Sequence, residues 1–190
     1  DESDLRNMMY TASEKHDGPF SIRYPRGTGT VINWRNDFEE VPVGKGRRLR
    51  KGEKVAVLSI GAIGTEAIKA LDNLTKKGVS VAHYDMRYVK PLDDVMLHEV
   101  FSKFQGVITL EDGVIQGGFG SAVTEWMTDH GYTRNVTRMG IEDQWIEHGT
   151  QAELYAECGY DAHAIEVKIE EELDRINTFI NSAGNKVQSA

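Results

Sequence analysis

The chain has 190 residues, 39% of them hydrophobic and 27% charged, the balance of a soluble domain with a packed core, which argues against disorder for most of its length. Its 22 Lys and Arg against 30 Asp and Glu leave a formal charge of -8, a surface that repels nucleic acid and anionic membrane as a whole. Cys158 is the sole cysteine, which excludes an internal disulfide, and no apolar run approaches the roughly 18 to 20 residues that span a bilayer, so a reducing cytoplasm is the expected compartment.

The opening, Asp1-Glu2-Ser3-Asp4, has neither an initiator methionine nor the features of a signal peptide, and the expectation is a chain cut from a longer one. Leu5, Met8, Met9 and Ala12 recur three and four apart behind Asp4 as a possible N-cap, which predicts a short amphipathic helix ended by Asp17-Gly18-Pro19. Phe20 to Tyr24 alternates in strand fashion until Pro25 and Gly27 break the run. From Gly27 to Gly52 the glycines, Pro42 and the basic run Lys45, Arg47, Arg48, Arg50 and Lys51 read as a connector, with only Glu40 to Val43 strand-like. That basic run lacks interleaved aromatics to stack on bases, so a solvated connector is expected in preference to a nucleic-acid contact.

Beyond Gly52 the pattern becomes a regular alternation. Lys54 to Ile60 is a continuous apolar run followed by Gly61, Gly64 and a helical segment from Thr65 to Lys77, closed by Gly78. Val79 to Tyr84 reads as a strand, and Pro91 and Asp93 lead into a helix holding Val95, Met96, Val100, Phe101 and Phe104. Val107 to Leu110 reads as the next strand, Gly117-Gly118-Phe119-Gly120 opens a helix with Ala122, Val123, Trp126 and Met127 on one face, and Asn135 to Met139 reads as a fourth strand. Thr150 to Cys158 and Ala162 to Ile180 look helical, with a small, polar, fraying tail past Ser182. Apolar strands separated by helices predict an α/β fold, a three-layer α/β/α sandwich around a mainly parallel sheet, because crossover connections put helices on both faces.

Several groups have the composition of sites. Gly61-Ala62-Ile63-Gly64 joins strand to helix where a phosphate can rest on free N–H groups, but it lacks the third glycine of a dinucleotide fingerprint, so tight turn packing is the expectation. Gly117 to Gly120 lets the backbone approach something closely, a ligand or another subunit. His83, His98, His130, His148 and His163 are not spaced as metal ligands, although His148 in Glu147-His148-Gly149-Thr150-Gln151 could line a site at a strand's carboxyl end. Glu111-Asp112 follows a strand end and offers either acid–base chemistry or helix capping, the second being the stronger expectation. Arg23-Tyr24-Pro25-Arg26-Gly27 places two guanidinium forks around a rigid turn, suited to phosphate or carboxylate oxygens or to a structural ion pair.

Together the phrases Gly18-Pro19-Phe20-Ser21-Ile22-Arg23-Tyr24-Pro25-Arg26-Gly27, Asp85-Met86-Arg87-Tyr88-Val89-Lys90-Pro91-Leu92-Asp93 and Glu111 through Val123 resemble the 1-deoxy-D-xylulose-5-phosphate synthases. Ile141 to Gln151 and Ala156-Glu157-Cys158-Gly159 fit the same family. The second and third phrases also resemble the β component of 2-oxo-acid dehydrogenases and other transketolase-type enzymes, so that alternative stays open; the arginine turn and the His-Gly-Thr-Gln stretch favour the synthases.

The resemblance implies a transketolase C-terminal-domain-like fold in a three-domain homodimer that uses thiamine diphosphate and Mg2+. Such an enzyme condenses pyruvate with D-glyceraldehyde 3-phosphate, giving 1-deoxy-D-xylulose 5-phosphate and CO2 for isoprenoid, thiamine and pyridoxal synthesis. It places the diphosphate and magnesium on the first domain and the aminopyrimidine with its activating glutamate on the second. This chain is then expected to hold the end of the pyrimidine-binding domain at 1–34, a linker at 35–52, the C-terminal domain at 53–182 and a flexible tail at 183–190. The C-terminal domain is expected to serve chiefly in subunit contact. The fragment alone is expected to be inactive, with no catalytic, cofactor-binding or metal-binding residue of its own. One role carries over at residue level: the arginine matching Arg26 contacts the phosphate of the aldehyde substrate, with Arg23 the weaker second candidate.

Overall fold

The computed structural model describes residues 1–15, 18–25, 27, 29 and 35–187. Helix α1 spans Glu2–Lys15 and strand β1 Arg47–Arg50; then come β2 (Val55–Ile60), α2 (Gly64–Lys76), β3 (Ala82–Asp85), α3 (Asp94–Lys103) and β4 (Gly106–Val114). The chain finishes with α4 (Phe119–Asp129), β5 (Asn135–Ile141), α5 (Gln151–Glu157) and α6 (Ala162–Val187). The strands form one sheet in the order β1-β3-β2-β4-β5, parallel except where β1 runs antiparallel to β3.

The alternating burial of β2 explains the three layers. Val55 and Val57 face one core with Ala67, Leu71 and Leu74 of α2 and Ile165, Ile169 and Ile176 of α6. Ala56 and Leu58 face the other, with Leu97, Val100 and Phe101 of α3 and Phe119, Val123 and Trp126 of α4. A strand covered on both sides has no polar face, which is why it reads as an unbroken apolar run. The expected α/β/α sandwich is the observed one.

Two expected strands are absent. Phe20 to Tyr24 forms none, because alternation yields a strand only where a neighbour supplies the ladder, and no described strand runs beside it. Glu40 to Val43 forms none either: Lys45 N–H closes a turn on the Pro42 carbonyl, with Gly44 at φ 70°. The ladder begins instead inside the basic run, where Arg47 and Arg48 pair with Asp85 and Tyr84 of β3. The arginines of the expected connector therefore belong to the sheet edge, and their charges are taken up. Arg47 pairs with Asp4 and Asp85, Arg48 with Glu99, and Arg50 with Asp72 while donating to the Leu71 carbonyl. Helices α1 and α6 are both longer than expected, α6 running to Val187, past Ser182.

Asp93 joins the edge of the sheet to α3. Its buried carboxylate accepts from the N–H of Met96, capping α3, from the N–H of Gly46 at 3.1 Å and from Lys45 Nζ at 3.2 Å. Asp93→Ala should lower stability by about 2 kcal/mol, because it removes a cap and leaves the Gly46 N–H unpaired. Urea midpoints of the variant and of Asp93→Asn, which keeps an acceptor, test this; equal midpoints for Ala and wild type would refute it.

Candidate functional site

The carboxyl ends of the parallel strands form the edge where open α/β sheets place ligands, and the strand order reverses between β2 and β4. The fate of Glu111 and Asp112 at the end of β4 is thus informative. Glu111, 6% exposed, accepts from the backbone N–H of Phe119 and of Gly120, each at 2.8 Å. These are N–H groups of the first turn of α4, whose N-cap, Gly118, has no side chain to satisfy them. Asp112 instead accepts from the hydroxyl of Tyr160 at 3.1 Å, and burial together with that carboxylate pushes the Tyr160 hydroxyl well above its ordinary range. The two carboxylates serve separate structural partners, so the acid–base reading gives way to capping.

The Gly117–Gly120 turn acquires a definite reason. A β-carbon on Gly118 would collide with Glu111 Oε2, and one on Gly120 would press into Thr109 Oγ1, so what the backbone approaches closely is its own strand. Gly117, at φ 70°, donates to Ser121 Oγ at 3.0 Å, and Arg138 Nη1 reaches the same hydroxyl at 2.8 Å. On the β2 side, Gly61 at φ 78° turns the chain so that Ile63 enters the core, the tight packing expected there. Glu66 in the first turn of α2 accepts from the Ala162 N–H at 3.2 Å, tying that end of the crevice to α6.

Arg23 and Gly27 lie against this edge. The Arg23 guanidinium reaches Gly113, where a β-carbon would stand 3.5 Å from Nη1, and Gly27 lies beside Gln151, whose Oε1 would be 3.8 Å from a β-carbon there. Arg23 is exposed. Arg26 lies outside the described residues. Gln151 donates to the Tyr155 hydroxyl at 2.7 Å, and Thr150 and Glu153 close a capping box at the start of α5. His148 is exposed in a shallow concavity with Trp145, Ile146, Glu147, Gly149 and Leu154. The fold thus brings Arg23 and Gly27, the end of β4 and the stretch 148–151 to one edge of the sheet, although they are far apart in sequence.

A further charged group carries no signal in the sequence. Arg87, just beyond β3, holds φ 56°, a left-handed backbone that costs a non-glycine residue energy. Its Nη2 donates to Asp4 at 3.0 Å while its buried Nε has no hydrogen-bond partner. Asp4 also takes Arg47, so α1 is pinned to the sheet edge through one carboxylate. No spacing announces this contact, because it spans 83 positions and depends on the tertiary placement of α1.

Among the described residues no group of three or more His, Cys, Asp or Glu is arranged to hold a metal ion. No described helix is long and apolar enough to cross a membrane.

A family model described as transketolase, C-terminal domain, matches residues 44–165. The chain belongs to that family. The chain is 54% identical over 171 residues to the 1-deoxy-D-xylulose-5-phosphate synthase of Parabacteroides distasonis, an alignment covering 90% of the chain and 27% of that protein. It is 55% identical over 165 residues to the synthase of the same name from Cytophaga hutchinsonii, covering 86% of the chain and 26% of the relative. The chain therefore spans about a quarter of the length of these curated relatives. Among solved structures it is similar to a split-gene transketolase described as an inactive β4 tetramer, with a TM-score of 0.66 and 27% identity over 72% of this chain and 44% of that one.

Proposed function

We propose that the chain is the carboxy-terminal part of a thiamine-diphosphate-dependent transferase, a 1-deoxy-D-xylulose-5-phosphate synthase acting in isoprenoid synthesis. The observation that carries this reading is identity above 50% to proteins of that name along nearly the whole chain. In this reading the longer, dimeric protein condenses pyruvate with D-glyceraldehyde 3-phosphate and releases CO2. Thiamine diphosphate supplies the carbanion chemistry and, with Mg2+, is bound by parts of that protein outside this chain.

The chain's own contribution is an anion anchor at the sheet edge. Arg26, with Arg23 as the weaker candidate, holds the phosphate of the aldehyde; the placement of Arg23 against Gly113 supports an arginine turn facing the carboxyl end of β4. A phosphate held away from the reacting carbon supplies binding energy that orients the aldehyde for attack. In the full-length enzyme Arg26→Ala should raise the KM for glyceraldehyde 3-phosphate at least about tenfold, the loss of one charge-assisted interaction, with the pyruvate KM nearly unchanged. Steady-state kinetics of the full-length protein beside the 190-residue chain test both levels of the reading. Product from the full-length enzyme with an unchanged aldehyde KM in the variant removes Arg26 from the site. No product at all removes the substrate assignment, and activity in the fragment alone removes the assignment of the cofactor to absent parts.

A further inference from the structure

On the face of the sheet opposite α2 and α6, away from the carboxyl edge, α3 and α4 carry two histidines that take no part in the candidate site. The rings of His98 and His130 have centroids 5.1 Å apart at an interplanar angle of 85°. Both residues are exposed, and each ring is held by its Nδ1. His130 Nδ1 lies 2.8 Å from the Trp126 carbonyl, an acceptor only, so it carries the proton. His98 Nδ1 lies 2.9 Å from the Tyr132 hydroxyl. Trp126 fixes the pair further, stacking on His130 at 3.9 Å and meeting His98 edge-on at 4.8 Å. Trp126 is itself anchored, its Nε1 donating to Asp94 at 2.7 Å.

Neither Nε2 has a hydrogen-bond partner among the described residues. His130 has the arrangement of metal-binding histidines, one ring nitrogen held by a carbonyl so that the other presents its lone pair, and the Tyr132 hydroxyl lets His98 do the same by accepting from its Nδ1. A cation bonded to two imidazoles at about 2.0–2.1 Å, with the bonds about 90–110° apart, places the ring centroids roughly 4.5–5.2 Å from each other. The observed separation falls in that range. We propose that His98 and His130 form a two-imidazole site for a divalent first-row transition cation, Cu2+, Ni2+ or Zn2+, bound through both Nε2 atoms. No third His, Cys, Asp or Glu joins them among the described residues, so water completes the coordination. Imidazole ligands select these cations over Mg2+ and Ca2+, which prefer oxygen.

The test is calorimetric titration of the untagged chain with CuCl2, NiCl2 or ZnCl2, beside MgCl2, together with Trp126 emission in a Trp34→Phe, Trp145→Phe background. The expected result is one site per chain in the micromolar range, quenching of Trp126 by Cu2+, and no binding of Mg2+. His98→Gln and His130→Gln should each weaken binding at least tenfold, with circular dichroism unchanged to show that the fold is kept. Undiminished affinity in both variants, binding that does not saturate below millimolar metal, or equal binding of Mg2+ would overturn the proposal.

Discussion

Replacing Glu111 by Ala should destabilise the chain by about 3 kcal/mol, more than the loss of the Asp93 cap. The side chain is buried, and both of its oxygens are spent on the first turn of α4. Each hydrogen bond from a backbone N–H to a carboxylate contributes about 1.5–3 kcal/mol, and Gly118 offers α4 no substitute cap. Part of that loss is offset because the variant no longer buries a charge, which keeps the net value below the sum of the two bonds. Water cannot readily replace the carboxylate, because Gly118 and Gly140 pack closely around the side chain. Glu111→Gln keeps one acceptor but turns an amide N–H2 toward the second donor, so an intermediate loss is expected. Chemical denaturation of both variants checks the order; a Gln variant as unstable as Ala would show that charge, not acceptor geometry, makes the cap.

Acidification should weaken the fold through His83. This histidine is 1% exposed on β3 and shares a 2.8 Å hydrogen bond with Ser59 Oγ on β2. Burial, reinforced by the positive charges of Arg50 and Arg47, lowers its pKa from 6.5 to about 4. The unfolded chain takes up a proton near pH 6.5 while the folded chain resists until about pH 4. The stability held by the neutral imidazole is therefore fully present above pH 6.5 and is lost as the pH falls through that window. The total is about 3 kcal/mol, of which about 2 kcal/mol disappears between pH 7 and pH 5. Urea midpoints of wild type and His83→Gln across that range isolate the effect, since the variant still bonds Ser59 but takes up no proton. Parallel pH profiles for the two proteins would refute it.

What the sequence disclosed depended on how local each feature is. Strands β2 and β4 are legible because burial on both faces makes Val55 to Leu58 and Val107 to Leu110 predominantly apolar, and α3 is legible because Asp93 sits at its cap position. Strand β1 is not, since Arg47-Arg48-Leu49-Arg50 has no apolar run and becomes a strand only by pairing with β3 while its charges find carboxylates elsewhere. At the candidate site the residue types pointed correctly to a cap at Glu111, but its recipients lie eight and nine residues on, beyond any turn pattern. Arg87 is the opposite case. Its bond to Asp4 arises only once α1 lies against the sheet.

The long last helix bears on where this polypeptide can be divided. The family match stops at residue 165, four positions into α6, yet Ile169 and Ile176 farther along that helix complete the apolar layer over β2 and β4. Glu172 reaches from the same stretch to Asn135 on the edge strand, at 3.0 Å. A gene segment trimmed to the homology boundary would thus encode a sheet with one side partly uncovered. The unit that has to be inherited, swapped or expressed together extends at least through Ile176.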